Sequence, residues 1–139
     1  MKKIILLFLF TFFILSCSPN EDNFNYRYEI IKVETFEVPI EFVSGDTYQI
    51  KIKYKRPTSC HYFNNLYFNR DTNIRKIAVE SIIEERDNCV PLIDNNPEIE
   101  YIFNFQVIQA AGTNYLFKFY KGKNAAGENI FEEVTIPVI

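Results

Sequence analysis

From Tyr26 onward the apolar residues of this chain recur at every second position, a period that fits extended strands and no helix. The clearest case is residues 46–55. Tyr48, Ile50, Ile52 and Tyr54 alternate with Thr47, Gln49, Lys51 and Lys53, so one face is apolar and the other charged. Such a strand covers one face and leaves the other in water. Ser44-Gly45-Asp46 reads as the turn before it. Arg56-Pro57-Thr58 reads as its end, because proline brings no N–H to a ladder. Residues 98–109 repeat the pattern with Ile99, Tyr101, Phe103, Phe105 and Val107, while Ile102 and Ile108 predict partial cover on the other face. Residues 113–121 set Tyr115, Phe117 and Phe119 against Asn114, Leu116 and Lys118. In residues 130–138, Val134, Ile136 and Val138 share a face, and Pro137 marks an edge strand or a strand end. Two glycines and an asparagine in residues 122–128 suit a hairpin loop between these last two strands.

Three segments read less cleanly. Residues 26–38 alternate through Tyr26, Tyr28 and Ile30, then change phase near Ile31, which predicts a bulge. Residues 60–68 are aromatic, with Asn64-Asn65 as a candidate turn inside them. Residues 76–86 contain good helix formers, so a helix competes with a strand there. Their β-branched content favours the strand. The sum is about seven strands with turn signals between them, the pattern of an all-β, antiparallel β-sandwich over residues 26–139. The stretch Ala111-Gly112-Thr113-Asn114-Tyr115-Leu116-Phe117 resembles the penultimate strand of immunoglobulin-like domains. That resemblance implies a Greek-key sandwich in which the Tyr115 hydroxyl bonds back to nearby backbone. The lack of Trp and the positions of Cys60 and Cys89 set the chain apart from antibody-type domains.

Residues 1–17 read MKKIILLFLFTFFILSC. Lys2 and Lys3, the apolar run to Leu15 and the small Ser16 match a secretory signal peptide over residues 1–16. The run is too short for the roughly 20 residues of a spanning helix. Ile14-Leu15-Ser16-Cys17 also resembles the lipobox of bacterial lipoproteins. The resemblance implies cleavage before Cys17, acylation of Cys17 and a membrane anchor. Residues 17–25 then become the lipidated cysteine and a polar tether. Glu21 and Asp22 behind the cysteine resemble the surface-export signal of Bacteroidota-type lipoproteins, which implies an outer-membrane address facing the surface or the periplasm.

Removing residues 1–16 from 139 leaves 123, enough for one domain with a real core. Lys2 and Lys3 leave with the leader, so 15 basic residues become 13 against 18 acidic, a net charge of −5. No basic tract or RNA-binding aromatic motif is present, so no nucleic-acid partner is expected. Of three cysteines, Cys17 is assigned to lipid by the lipobox resemblance. Cys60 and Cys89 remain as a pair, expected to form a disulfide outside the cytoplasm; two buried free thiols are the alternative.

Candidate chemistry is sparse. Cys60-His61 holds the single histidine, but neighbours on a strand diverge, so a thiol–imidazole pair is not expected and His61 reads as partly exposed. Acidic residues gather at Glu84, Glu85 and Asp87, at Asp94, Glu98 and Glu100, and at Glu132 and Glu133, beside turn residues where solvent is expected. Asp87, Asn88, Asp94, Asn95 and Asn96 offer oxygen ligands for calcium, but in no EF-hand spacing, and such clusters commonly mark turns. No phosphate loop, nucleophile elbow or dinucleotide fingerprint occurs. No catalytic residue, cofactor or metal site is therefore assigned. The aromatic stretches 61–68 and 116–120 supply Tyr62, Tyr67 and Tyr120 as outward candidates for a binding face. The expected function is a non-catalytic, lipid-anchored envelope module with a polysaccharide or envelope-protein partner. The alternative is a periplasmic inhibitor or immunity-type lipoprotein acting through the disulfide-pinned loop at residues 89–97.

Overall fold

A computed structural model describes residues 25–139; the expected leader, Cys17 and residues 18–24 of the expected tether lie outside the described residues. Every regular element described is a strand: β1 (Tyr26–Ile31), β2 (Val33–Glu37), β3 (Thr47–Tyr54), β4 (His61–Asp71), β5 (Ile74–Glu84), β6 (Ile99–Gln106), β7 (Asn114–Lys123) and β8 (Asn129–Pro137). The protein is all-β. Residues 76–84, where a helix competed in the sequence, belong to β5. Its Ile77 and Val79 are buried on the core side, and its polar residues alternate with them.

The strands form two sheets. The larger is organised around β5. One edge of β5 carries β4 along its length, through pairs from His61–Ile83 to Asp71–Ile74. The other edge is divided. Residues 74–77 of β5 pair with residues 116–119 of β7, and residues 79–84 pair with β1. β8 lies outside β7, as the position of Pro137 predicts. The smaller sheet has the order β2-β3-β6. All ladders are antiparallel except β5–β7, which is parallel, so the larger sheet is mixed. The connectivity explains this. Between β5 and β7 the chain crosses to β6 in the other sheet, and two reversals restore the original direction.

Two irregularities in the sequence pattern acquire specific meanings. The phase change near Ile31 is the point where the chain leaves one sheet for the other. Ile31 pairs with Val79 in the larger sheet, and Val33 pairs with Tyr54 in the smaller, with a register shift between Val33 and Thr35. Asn64-Asn65 is not a turn. β4 runs through it, with a bulge between Phe63 and Asn65.

The core lies between the sheets. Ile77, Val79, Tyr115, Phe117, Phe119 and Ile136 from one sheet meet Val33, Ile50, Ile52, Tyr54 and Phe105 from the other. Phe42 is fully buried although it lies between strands. Its backbone bridges Val138 beyond the end of β8, and its ring sits 4.9 Å from Tyr48 and 5.4 Å from Phe105. The Tyr115 hydroxyl accepts the backbone N–H groups of Ile108 at 3.0 Å and Gln109 at 3.1 Å. This is the back-bonding that the immunoglobulin-like resemblance implies for Tyr115. The buried Arg75 guanidinium lies 4.8 Å over the Tyr115 ring and donates to the carbonyls of Thr72 and Ile74. Burial lowers its pKa from the ordinary arginine value, against an opposing effect of Tyr115. Ile102 and Ile108 are exposed, so the partial cover expected on that face of β6 is missing.

Cys60 and Cys89 form a disulfide closing a separation of 29 residues. Around it, Ser59 N–H donates to the Val90 carbonyl at 2.9 Å and Leu92 N–H to the Pro57 carbonyl at 3.0 Å. The bridge therefore fastens the start of β4 to the loop that follows β5.

Two outcomes follow from these contacts. Tyr115→Phe removes the acceptor for two backbone donors, a loss of about 1–3 kcal/mol. The melting temperature followed by circular dichroism should fall by several degrees. Reduction of the disulfide should remove about 3–4 kcal/mol of chain-entropy stabilisation and lower the melting temperature as well. An unchanged midpoint in reductant would mean that the pair does not stabilise the fold.

Candidate functional site

The outward face of β5 carries Lys76, Ala78, Glu80 and Ile82, on the side opposite the buried Ile77, Val79 and Ile83. Register places a row of side chains at each of these positions. Asn69, Lys76, Lys118 and Glu133 follow one another across β4, β5, β7 and β8. In the next row Tyr67 pairs with Ala78 on one side of the fork, and Tyr120 pairs with Phe131 on the other. Further along, Ile82 stands between Tyr62 and Tyr28.

The bulge in β4 makes this face aromatic. Tyr62 and Tyr67 are five positions apart, an odd number that would send them to opposite faces of a regular strand. The extra residue at Asn64 restores phase, so Tyr62 and Tyr67 share the outer face while Phe63, Leu66 and Phe68 pack toward the core. The Asn64 amide donates to Glu80, which secures the bulge to β5.

At the fork where β7 yields the β5 edge to β1, the face sinks into a concavity of about 670 Å³. Ala78 is its floor, buried beneath larger neighbours. Tyr28, Tyr67, Tyr120 and Phe131 are among its aromatic walls, and Lys76, Lys123, Asn129 and Glu29 its polar ones. The Tyr120 ring lies 5.9 Å from that of Phe131 at 61°. The hydroxyls of Tyr28, Tyr67 and Tyr120 make no hydrogen bond to any described residue. Other tyrosines differ: the Tyr48 hydroxyl accepts Val43 N–H at 2.9 Å, and that of Tyr62 accepts from Arg86 at 2.8 Å.

Of the three tyrosines expected to face outward, Tyr67 (41% exposed) and Tyr62 (36%) do so. Tyr120 does not stand free, being 8% exposed. Its side chain leaves the core face as expected, but Phe131 and the neighbouring strands cover it. Tyr67 and Tyr120 line the concavity together, and Tyr62 lies on the same face beside Ile82, outside the concavity lining. Tyr28, Ala78, Lys76, Lys123 and Phe131 were not singled out from the sequence. The alternation of Tyr26, Tyr28 and Ile30 was a signal, but alternation does not say which face meets water, and these side chains are exposed.

Several of the remaining candidates have partners within the fold. His61 is 4% exposed, not partly exposed. Its Nδ1 lies 2.8 Å from the Thr58 hydroxyl and its Nε2 3.3 Å from Glu29 Oε2, so both ring nitrogens have partners. The Thr58 hydroxyl also accepts Cys60 N–H, which links β1 to the disulfide segment. Glu84, Glu132 and Glu133 each face a cation, Arg86, Lys121 and Lys118 respectively. Among the described residues no three His, Cys, Asp or Glu side chains group as metal ligands. Of the calcium candidates Asp87, Asn88, Asp94, Asn95 and Asn96, Asn95 adopts the left-handed conformation of a turn, and the Asn96 amide donates to the Arg56 and Leu92 carbonyls.

Nitration by tetranitromethane followed by peptide mapping should modify Tyr26 and Tyr28 first and leave Tyr54 and Tyr115 unmodified. The reagent needs an accessible phenolate, and burial raises the Tyr54 pKa above its ordinary value. Rapid modification of Tyr54 would contradict this placement. Comparison with protein-family models, with curated proteins and with solved structures finds no match for this chain.

Proposed function

We propose that this protein is a bacterial, Bacteroidota-type lipoprotein, anchored through Cys17 and serving as a non-catalytic binding module of the cell envelope. The observation that carries the binding reading is the concavity walled by Tyr28, Tyr67, Tyr120 and Phe131 on the outer face of the larger sheet. Aromatic rings with polar tips suit partners that offer apolar faces and hydroxyl or amide groups. A polysaccharide or an envelope protein meets that description. The anchor reading rests on residues 1–17, with the outer membrane as the address. An acylated Cys17 carrying more than one chain meets the two-signal requirement for stable membrane attachment. A tether of eight residues, 18–25, then keeps the domain near the membrane, where weak contacts gain from local concentration.

The same proposal assigns the sandwich to the immunoglobulin-like Greek-key class. The Tyr115 back-bond and the division of the first strand between two sheets support that assignment. The parallel β5–β7 ladder is a departure from it.

A second reading has its own observation. In the loop fastened by the disulfide, Ile93 is 84% exposed and Val90 56%. Apolar side chains on a pinned loop are what an inhibitor or immunity-type lipoprotein would insert into an enzyme cleft. Protease treatment of intact cells separates the two: release of the domain favours a surface module, and protection favours a periplasmic inhibitor.

Cys17→Ala should abolish acylation, seen as loss of acyl mass, and shift the protein from the membrane pellet to the soluble fraction. Unchanged fractionation would overturn the anchor. Tyr28→Ala combined with Tyr67→Ala should abolish co-sedimentation of the detergent-purified full chain with lipid-extracted envelope material, which offers the acyl anchor no bilayer. Retained co-sedimentation would overturn the binding face.

A further inference from the structure

We propose that the tyrosine concavity is one part of a longer groove that takes an anionic polysaccharide, a proposal that deepens the binding reading above and rests on it. A second hollow of about 390 Å³ adjoins the first and shares Glu29, Ile30 and Tyr120 with it. The two meet at the fork, on either side of Tyr120, where β1 turns away toward the smaller sheet. Together they form an extended depression suited to a chain ligand.

Charge decides the class of that ligand. The whole chain carries a formal charge of −3, so carboxylates are plentiful. Yet Lys76 and Lys123 in the first hollow, and Lys55 and Arg56 in the second, have no carboxylate within ion-pair distance among the described residues. The two acids that line these hollows are already engaged. Glu29 faces Arg27 and His61, and Glu34 faces Lys32 at 3.1 Å. Lysines elsewhere on the larger sheet are paired, Lys118 with Glu133 and Lys121 with Glu132. An acidic protein that leaves four cations without a carboxylate partner among the described residues along one depression has a surface complementary to a polyanion.

The walls suit a sugar chain. Three phenol hydroxyls without a partner among the described residues line the first hollow, and a polyhydroxylated chain supplies both donors and acceptors to them. The ring faces offer stacking surface beside them.

The test is affinity electrophoresis and calorimetry of the full chain in non-ionic detergent. The probes are polygalacturonate, its methyl ester, dextran sulfate, neutral dextran and poly-L-glutamate. Binding to polygalacturonate or dextran sulfate is expected, and which of the two is preferred distinguishes carboxylate from sulfate. It should weaken by about tenfold between about 0.05 and 0.5 M salt, as ion pairing is screened. Lys76→Gln with Lys123→Gln should weaken it by a similar factor, and Tyr67→Ala should weaken it too. Lys53→Gln, which removes the same charge outside both hollows, should leave it unchanged. Equal binding of the neutral polymers, or loss of affinity with Lys53→Gln equal to that of the groove variants, would overturn the anionic groove. So would equal or exclusive binding of poly-L-glutamate, or no binding to either anionic polysaccharide. In each of those cases envelope co-sedimentation that still depends on Tyr28 and Tyr67 would leave the binding-module reading standing.

Discussion

β5 offers one edge to β4 and divides the other between a parallel partner, β7, and an antiparallel one, β1. A strand has only one row of backbone groups per edge, so β7 must part from β5 before β1 can pair. The left-over space between the diverging strands is the fork. The chain around it is shaped accordingly. Gly122 takes a positive φ of 108° beside the register shift in β7, and β1 passes to the other sheet after Ile31. Lys121 reaches across to the Glu34 carbonyl at 2.7 Å and holds the departing β1–β2 segment against β7.

The site inherits its form from that constraint. An ordinary sandwich presents a flat or gently twisted outer face. Here the absent backbone at the fork leaves depth, Ala78 keeps the floor low, and the neighbouring rows supply tall aromatic walls. Because the walls come from β1, β4, β7 and β8, their spacing depends on the ladders and not on a mobile loop. Tyr120 belongs to this outer wall, while its neighbour Phe119 stacks on Phe36 in the core with centroids 3.8 Å apart. One strand thus connects core packing with the candidate site through adjacent residues.

The far end of the sandwich is held by a different set of bonds. Phe42 occupies the centre of an aromatic cluster with Tyr48, Phe105, Tyr115 and Phe117. Tyr115 anchors the turn before β7 through its hydroxyl, and Arg75 closes over its ring while satisfying two carbonyls. Burying a guanidinium here is tolerable because its donors are used and its flat face rests on aromatic rings. No buried side-chain nitrogen or oxygen among the described residues lacks a hydrogen-bond partner.

Local alternation by itself determined much about this protein: strands as the regular element, and the apolar faces of β3, β6, β7 and β8. Those features depend on the two-residue repeat of an extended chain, which is visible along a single line. For Cys60 and Cys89 the sequence left a disulfide and two buried thiols open, and the structure closes the bridge. Whether residues 76–86 were helix or strand was decided by tertiary structure, since β5 lies between partners on both edges and backbone pairing outweighs helix propensity. The meanings of the phase change at Ile31 and of Asn64-Asn65, the burial of Phe42 and Tyr120, and the exposure of Tyr28 were decided there too. Each depends on which sheet a strand joins and which of its faces another layer covers. Alternation marks two faces but does not say which one meets water, so the concavity at the fork exists only once β1 and β7 compete for the same edge of β5.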